Sequence, residues 1–179
     1  MNKHWITSVL TIAVAVGAMS SAASAGVFAK YDGVDGEATD ANHDKWIDVL
    51  SIDWGSNKPG GGAADSPEPD PAVRDVVITL VMDSAAPQLQ EMQGRVIPSL
   101  TLEQTANYGG SRATYLKYEL TNVMVTSYQV NASGNDEAGP PTVVVGNNFE
   151  EIKVTYTEYD DSGSKKGTVE AEFKVEKRE

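Results

Sequence analysis

The segment YDGVDGEATDANHDKWIDVLSIDWG, residues 31–55, decides the fold prediction because it joins a polar turn to a strand of unusual pattern. Within this strand, apolar side chains fall at the odd positions Ile47 and Val49 and then at the even positions Leu50, Ile52 and Trp54. Successive side chains of a strand point to opposite faces, so this change flips the buried face. The pattern predicts a β-strand that either contains a bulge or is covered on both sides.

Short apolar stretches of the same kind run through most of the chain. Further strands are predicted at residues 27–32, 73–82, 96–105, 111–130 and 149–159, followed by a turn at residues 160–163 and a last strand. A change of apolar parity near Thr121 and Asn122 predicts a second bulge. Pro98 lacks an N–H and therefore predicts an edge position for its strand, on which Val96, Leu100 and Leu102 share one side.

The last strand has the clearest pattern in the chain. It alternates strictly between apolar and charged residues, which predicts a half-buried strand in a hairpin with its predecessor. The residues predicted to face inward are Val169, Ala171, Phe173 and Val175.

A single helix is predicted at residues 84–93. Asp83 or Ser84 can cap its start, Pro87 is tolerated in its first turn, and Gly94 can end it. One short helix among about seven strands predicts a mainly β domain, either a closed or nearly closed barrel or a sandwich.

Residues 55–71 form a long segment rich in glycine and proline that cannot hold a strand or a helix. It is either a flexible surface loop or an arm that grips a neighbour, and its length favours the arm, because structureless loops longer than about 12–15 residues are uncommon in compact domains. The candidate contact residues are Lys58, Pro59, Gly60, Gly61, Gly62, Asp65 and Pro67.

The strand at residues 73–82 is apolar on both faces, which predicts that both faces are covered. The cover is either the helix of this domain or another subunit. Val77, Thr79 and Val81 are therefore candidate interface residues.

Residues 1–25 have the order of a secretory signal peptide. Lys3 precedes an apolar run of 14 residues, and Ala23 and Ala25 form a small-residue cleavage site. The run is shorter than the roughly 20 apolar residues of a spanning helix, although an uncleaved anchor is the alternative. We therefore expect one domain at residues 26–179, exported to the periplasm or the extracellular space and not inserted in the membrane after cleavage.

The mature chain is strongly acidic and contains no cysteine. It carries 13 basic and 26 acidic residues, since Lys3 is lost with the leader. Such a surface repels phosphate backbones and anionic lipids, so nucleic-acid and membrane-surface partners are not expected. The absence of cysteine excludes thiol catalysis and thiolate metal sites.

No catalytic, cofactor or metal site is predicted. His43 is the one histidine left after leader removal, and no nucleophile motif accompanies it. Asp40, Asn42, Asp44 and Asp48 have the first spacings of a calcium loop, but the glycine and the final acid that such a loop needs are replaced by Lys45 and Ser51. A polar turn before a strand is the favoured interpretation, and a calcium site is the alternative.

The segment at residues 31–55 resembles the N-terminal signature of the Hcp family, the haemolysin-coregulated proteins that form the inner tube of type VI secretion systems. Weaker resemblances follow in order at Asp83–Leu89, at Tyr115–Ser127 and from Asn148 to Tyr156. The signature residues that match are Asp32, Gly33, Gly36, Glu37, Thr39, Asp40, His43, Ile47, Asp48, Val49, Leu50, Ser51, Trp54 and Gly55.

The resemblance implies a small two-sheet β-barrel with one flanking helix, a homo-hexameric ring that can stack into a tube, small effector proteins carried in its lumen, and no catalysis. It also places the segment 55–71 where the family has a loop that contacts the adjacent ring or subunit. Family members normally lack a leader. The chain is therefore either a relative adapted to a periplasmic or extracellular task, or its first 25 residues are not processed. The alternative function is a monomeric binding module on the same fold, with a patch among Trp46, Trp54 and Tyr108.

Overall fold

The computed structural model of the protein describes residues 25–57, 72–134 and 139–175. These residues form strands and one helix. In chain order they are β1 (Gly26–Tyr31), β2 (Ile47–Asp53), β3 (Ser56–Asn57), β4 (Ala72–Val73), β5 (Val76–Val81), α1 (Ala85–Glu91), β6 (Val96–Tyr108), β7 (Ser111–Asn131), β8 (Thr142–Asn148), β9 (Glu151–Tyr159) and β10 (Lys165–Lys174).

Eight of the strands form one antiparallel sheet that closes on itself. The order is β10-β9-β7-β6-β1-β2-β5-β8, and β8 also pairs with β7. Six strands therefore make a closed barrel, and β9 and β10 extend from it beyond β7. The mainly β, single-helix barrel predicted from the sequence is confirmed, but the prediction lacked β8, whose run of β-branched residues from Thr142 to Val145 was its signal.

Strand β7 closes the barrel because it has two successive partners on one side. Its first half pairs with β9 as far as Thr121, and its second half pairs with β8 from Met124. Between them Asn122 has a positive φ of 50°, and the buried face changes from Leu120 to Val123. The predicted change of face is confirmed. Its cause is a bend at Asn122 and not an inserted residue, since the pairing with β6 keeps its register there.

The bulge predicted in the second strand is also present. The register between β2 and β5 shifts between Val49 and Ser51, and Leu50 is 57% exposed while Val49 is buried. An extra residue on one strand turns the following side chains to the other face, which explains the parity change of the sequence.

The placement of Pro98 corrects two predictions. Strand β6 is not an edge strand, because it lies between β1 and β7. Pro98 is tolerated because it lies at a gap in both pairings. The contact with β1 starts at Ser99, whose carbonyl accepts the N–H of Asp32, and the pairing with β7 omits Pro98 and Asn122, which lie opposite each other. The buried face also shifts here, so that Ile97 is buried and Val96 is 60% exposed, contrary to the predicted grouping of Val96 with Leu100.

The helix packs one side against the barrel. Its buried residues are Ala85, Ala86 and Leu89, and complete burial of a leucine stabilises a fold by about 1.5–3 kcal/mol. Asp83 caps the start, since its carboxylate accepts a hydrogen bond from the backbone N–H of Ala85 at 3.0 Å. Gly94 follows the helix with a positive φ of 77°.

Inside the barrel one polar pair is fully satisfied. The Tyr31 hydroxyl donates to Asn147 Oδ1 at 2.8 Å, and Asn147 Nδ2 donates to the carbonyls of Val76 and Val145. Tyr31 and Asn147 are both completely buried. Burial raises the pKa of the Tyr31 hydroxyl, so the side chain stays neutral and serves as a hydrogen-bond donor.

Candidate functional site

The turn that resembles a calcium loop is held together by the protein's own side chains. Asp40 contacts His43 Nδ1 at 2.7 Å and Arg112 Nη2 at 2.6 Å, and it accepts a hydrogen bond from the backbone N–H of Asn42. Burial acts to raise the pKa of Asp40, but the contacts with His43, Asn42 and Arg112 outweigh it and lower the pKa below its usual value. The geometry therefore favours the polar turn over the calcium site. Within residues 25–57, 72–134 and 139–175, no cluster of metal-ligating side chains is found.

His43 is buried between this turn and the barrel. Its second ring nitrogen, Nε2, lies 3.0 Å from Glu103 of β6. Its ring stacks on Phe28 of β1 at 4.2 Å and meets Trp46 edge-on at 4.9 Å. Because both of its ring nitrogens contact carboxylates and its ring is buried against two aromatic side chains, His43 fixes the polar turn onto the sheet.

The segment predicted as an arm is flanked by two short strands that pair with each other. Its candidate residues Lys58, Pro59, Gly60, Gly61, Gly62, Asp65 and Pro67 lie outside the described residues. On either side of them, β3 and β4 pair, with Ser56 opposite Val73 and Asn57 opposite Ala72. The backbone N–H of Arg74 donates to the carbonyl of Gly55 at 3.1 Å. The two ends of the arm are therefore held side by side.

The candidate interface strand is a paired barrel strand. Strand β5 lies between β2 and β8, so neither of its edges is free. Val76, Ile78 and Leu80 are buried in the core, and the other face, with Val77, Thr79 and Val81, is half-buried. Only this outer face is available to a neighbour, and the role of the three residues as an interface stays a prediction.

A stronger candidate for an interface between subunits is the sheet extension, defined here as β9 and β10. Its inner face continues the wall of the barrel, since Leu120, Ile152 and Phe173 form one cross-strand row that starts in the core. Trp54 packs edge-on against Phe173 and Tyr118 and covers the middle of this face. The end of this face toward the β9–β10 turn is open.

The open end of the inner face corrects one prediction. The hairpin of β9 and β10 is present as expected, but Val169 is 69% exposed and Ala171 is also exposed. Tyr156, which lies opposite Val169, is 47% exposed. The alternation correctly identified the apolar face. It failed to predict exposure because the extension lies outside the barrel, where a single copy has no opposite wall.

The outer face of the extension carries lysines and glutamates that contact one another. Lys153 contacts Glu170 at 2.9 Å, and Lys174 contacts Glu172 at 3.1 Å. Contact with Lys153 lowers the pKa of Glu170. Exposed pairs of this kind add little stability. They do keep the net charge of this face low in a chain whose net charge is −12.

The extension is fixed in place by contact between two hairpin tips. Gly109 in the β6–β7 turn and Gly163 in the β9–β10 turn both have positive φ, and a side chain on either would collide with the backbone of the other tip. Beside them Tyr108 and Tyr159 stack at 4.9 Å. The contact between the two turns thus holds the extension in a fixed position, and no local sequence pattern predicts a contact between turns so far apart in the chain.

The aromatic residues of the alternative binding module do not form one patch. Trp46 belongs to the His43 cluster, Trp54 packs on Tyr118 and Phe173, and Tyr108 stacks on Tyr159. An open hollow of about 530 Å³ lies elsewhere on the surface. It is lined by Val96, Asn122, Met124, Asn148, Phe149, Glu150 and Val175.

One protein-family model matches this chain, and several solved structures have a similar fold. The model described as "Type VI secretion system effector, Hcp" matches residues 28–156. No curated protein sequence matches the chain. A structure described as a type six secretion system protein is 26% identical with a TM-score of 0.76, covering 84% of this chain and 95% of that one.

Two further structures agree in fold. Hcp1 from Salmonella typhimurium is 27% identical with a TM-score of 0.66, covering 84% of this chain and 94% of its own. A type VI secretion system effector from Yersinia pestis is 23% identical with a TM-score of 0.64, covering 83% of this chain and 99% of its own. At 23% identity the second likeness bears on the fold alone.

Proposed function

The chain belongs to the Hcp family of type VI secretion proteins, and from this membership we propose that it is a structural protein whose mature form, residues 26–179, assembles into a homo-hexameric ring. In this proposal the rings can stack into a tube, and their lumen carries small effector proteins. The role is architectural, and no step of it requires catalysis or a cofactor.

The observation that supports self-assembly is the open inner face of the extension. Val169 and Tyr156 present apolar surface that continues the barrel wall, and the hairpin tips hold it in a fixed position. Exposed apolar surface that is contiguous and preorganised is typical of protein interfaces. A second copy that covers this face completes the wall that one copy leaves unfinished.

The arm is the second element of the proposal. Lys58, the glycines 60–62 and Pro67 belong to the segment between β3 and β4, two strands whose pairing holds the ends of that segment side by side. We assign these residues to contacts with an adjacent ring or subunit. Val77, Thr79 and Val81 on the outer face of β5 are a further candidate contact of the same kind.

Export is the third element. The leader at residues 1–25 is proposed to direct the chain out of the cytoplasm, to the periplasm or the extracellular space. Among the residues that the structure describes, no helix is long and apolar enough to cross a membrane. A chain that keeps its leader would instead be assembled before export, and N-terminal sequencing of the purified protein distinguishes the two routes.

The mass in solution tests the ring. The full chain is expressed, purified after export, and measured by native mass spectrometry and by light scattering at micromolar concentration. The proposal expects six times the subunit mass. A monomer at these concentrations contradicts the ring.

A monomer would favour the alternative, a periplasmic or extracellular binding module. The observation behind it is the open hollow, in which Val96 and Met124 are exposed and Phe149 forms part of the lining. Apolar concavities with a few polar groups are where small ligands bind. Titration of the monomer with hydrophobic probe dyes, with Met124→Asp as the variant, then tests that function.

A further inference from the structure

Four of the seven tyrosines of the chain meet where the two hairpin tips touch. Tyr108 and Tyr159 stack, with ring centroids 4.9 Å apart and an interplanar angle of 28°. Tyr115 and Tyr156 meet edge-on, with ring centroids 6.5 Å apart. The hydroxyls of Tyr115, Tyr156 and Tyr159 all act electrostatically on Tyr108. We call these four residues the tyrosine cluster.

The stacked pair of this cluster is held by contacts on both of its members. Gly163 lies against the backbone of Tyr108, so closely that a Cβ atom on Gly163 would come within 2.8 Å of the Tyr108 carbonyl oxygen. The Tyr159 hydroxyl donates to the carbonyl of Thr114 at 3.3 Å. Because backbone and hydroxyl contacts hold both residues, the two rings stay next to each other without depending on stacking alone.

The phenols of the cluster are neutral and within reach of solvent. Partial burial raises the pKa of the Tyr108 hydroxyl, and the neighbouring hydroxyls raise it further, so this ring is a phenol at neutral pH. Tyr156 is 47% exposed, and the other three rings are half-buried. An oxidant in solution therefore reaches the ring of Tyr156, and electrons can move to that ring from its neighbours.

We propose that the tyrosine cluster is a site of oxidative cross-linking, at which a one-electron oxidant joins Tyr108 to Tyr159 as dityrosine. The oxidant is a peroxidase supplied with hydrogen peroxide. The inference does not rest on the proposed ring, because both residues belong to one copy of the chain.

The cross-link forms by coupling of two tyrosyl radicals. Each phenol loses one electron and one proton and becomes a radical. The two radicals form one carbon–carbon bond between ring carbons ortho to the hydroxyls, and the hydrogen on each of these carbons then moves to the oxygen of its own ring. Hydrogen peroxide accepts the two electrons and the two protons and leaves as two molecules of water. The product has therefore lost two hydrogen atoms.

The geometry favours the stacked pair over the edge-on pair. Stacked rings approach each other through their faces and ring carbons, whereas Tyr115 and Tyr156 need a ring rotation before two ortho carbons can meet. The chain has no cysteine, so a disulfide cannot join the two tips. Dityrosine supplies a covalent link between them that thiol reductants do not break.

Oxidation of the full chain, purified after export, tests the site with a haem peroxidase and hydrogen peroxide as the probe. Dityrosine is followed by its fluorescence, and protease digestion with mass spectrometry identifies the joined peptides. We expect a product of single-subunit mass on a denaturing gel, in which one peptide pair joins residue 108 to residue 159 and has lost two hydrogen atoms. Because a cross-link between distant residues restricts the unfolded chain, we expect the thermal midpoint to rise by roughly 5–15 °C.

Phenylalanine variants identify the coupled residues. Tyr108→Phe and Tyr159→Phe each keep the aromatic ring and remove the phenol, and each is expected to lower the dityrosine fluorescence at least tenfold. Tyr128→Phe is the matched control, because Tyr128 is also half-buried but lies outside the cluster; we expect the wild-type yield. Circular dichroism checks folding, and the use of two variants keeps the test valid if one of them fails to fold.

Three results would overturn the proposal. They are a product of doubled mass, a joined pair other than Tyr108 and Tyr159, and fluorescence that neither Tyr108→Phe nor Tyr159→Phe lowers. A cross-linked wild type whose thermal midpoint stays at the value of the untreated protein would likewise show that the bond does not hold the two tips together.

Discussion

Replacement of Val169 by aspartate tests whether the open face of the extension is covered in the assembled protein. Val169 is 69% exposed in a single copy. Complete burial of a valine is worth about 1.5–3 kcal/mol, so covering the exposed part stabilises each contact between two copies by roughly 1–2 kcal/mol. A carboxylate at this position loses that contribution and adds the cost of desolvating a charge. Since about 1.4 kcal/mol corresponds to a factor of ten, we expect each contact between copies to weaken at least tenfold.

The measurement is the concentration at which the ring forms, followed by light scattering across a dilution series. Thr168→Asp is the control, because it adds the same charge to the charged outer face of β10. The folded single copy tolerates both changes, and its free energy of unfolding in urea is expected to move by no more than about 0.5 kcal/mol, as for other exposed sites. If Val169→Asp assembles at the same concentration as Thr168→Asp, the face is not part of the contact.

Three further predictions concern the stability of the domain. Tyr31→Phe leaves Asn147 Oδ1 buried without its donor, which is expected to lower the free energy of unfolding in urea by about 1–3 kcal/mol; an unchanged value would show that the pair contributes nothing. Gly109→Ala, which combines positive φ with a backbone collision, is expected to lower the thermal midpoint more than Gly110→Ala, whose position has positive φ but open space; equal midpoints contradict the contact between the tips. The pKa of Asp40 is lowered in the folded state, so its contribution is complete above the usual aspartate pKa near 3.9 and is lost as the pH falls through the lowered value. Asp40→Asn is therefore expected to be less stable than wild type at pH 7 and to approach it below about pH 4, in parallel urea titrations; a gap that does not narrow contradicts this role.

Local patterns predicted those parts of the fold that depend on neighbours in sequence. The alternation of Val76, Ile78 and Leu80 identified a strand and its core face, and the start of the helix after Asp83 followed from capping chemistry. The bulge after Val49 could be predicted because it moves the apolar residues from odd to even positions in the sequence. In each case the cause and the signal lie within a few residues of each other.

Features that join distant segments could not be predicted. His43 contacts Glu103 across 60 residues, and nothing near either residue indicates the other. The exposure of Val169 depends on where its strand lies relative to the barrel, and alternation reports which face is apolar but not whether anything covers it. For the same reason Pro98 was assigned to an edge, although it lies in an inner strand at a point where the pairing with both neighbouring strands is interrupted.

The paired base formed by β3 and β4 allows the segment between them to change in length. Because Ser56 and Val73 are held opposite each other, the distance between the ends of the intervening segment is set by the base. Between fixed ends, each doubling of a flexible segment costs only about 0.6 kcal/mol in closure entropy. Insertions and deletions there are therefore nearly independent of the stability of the barrel. We therefore expect the segment between β3 and β4 to accept inserted peptides with little change in the free energy of unfolding of the barrel.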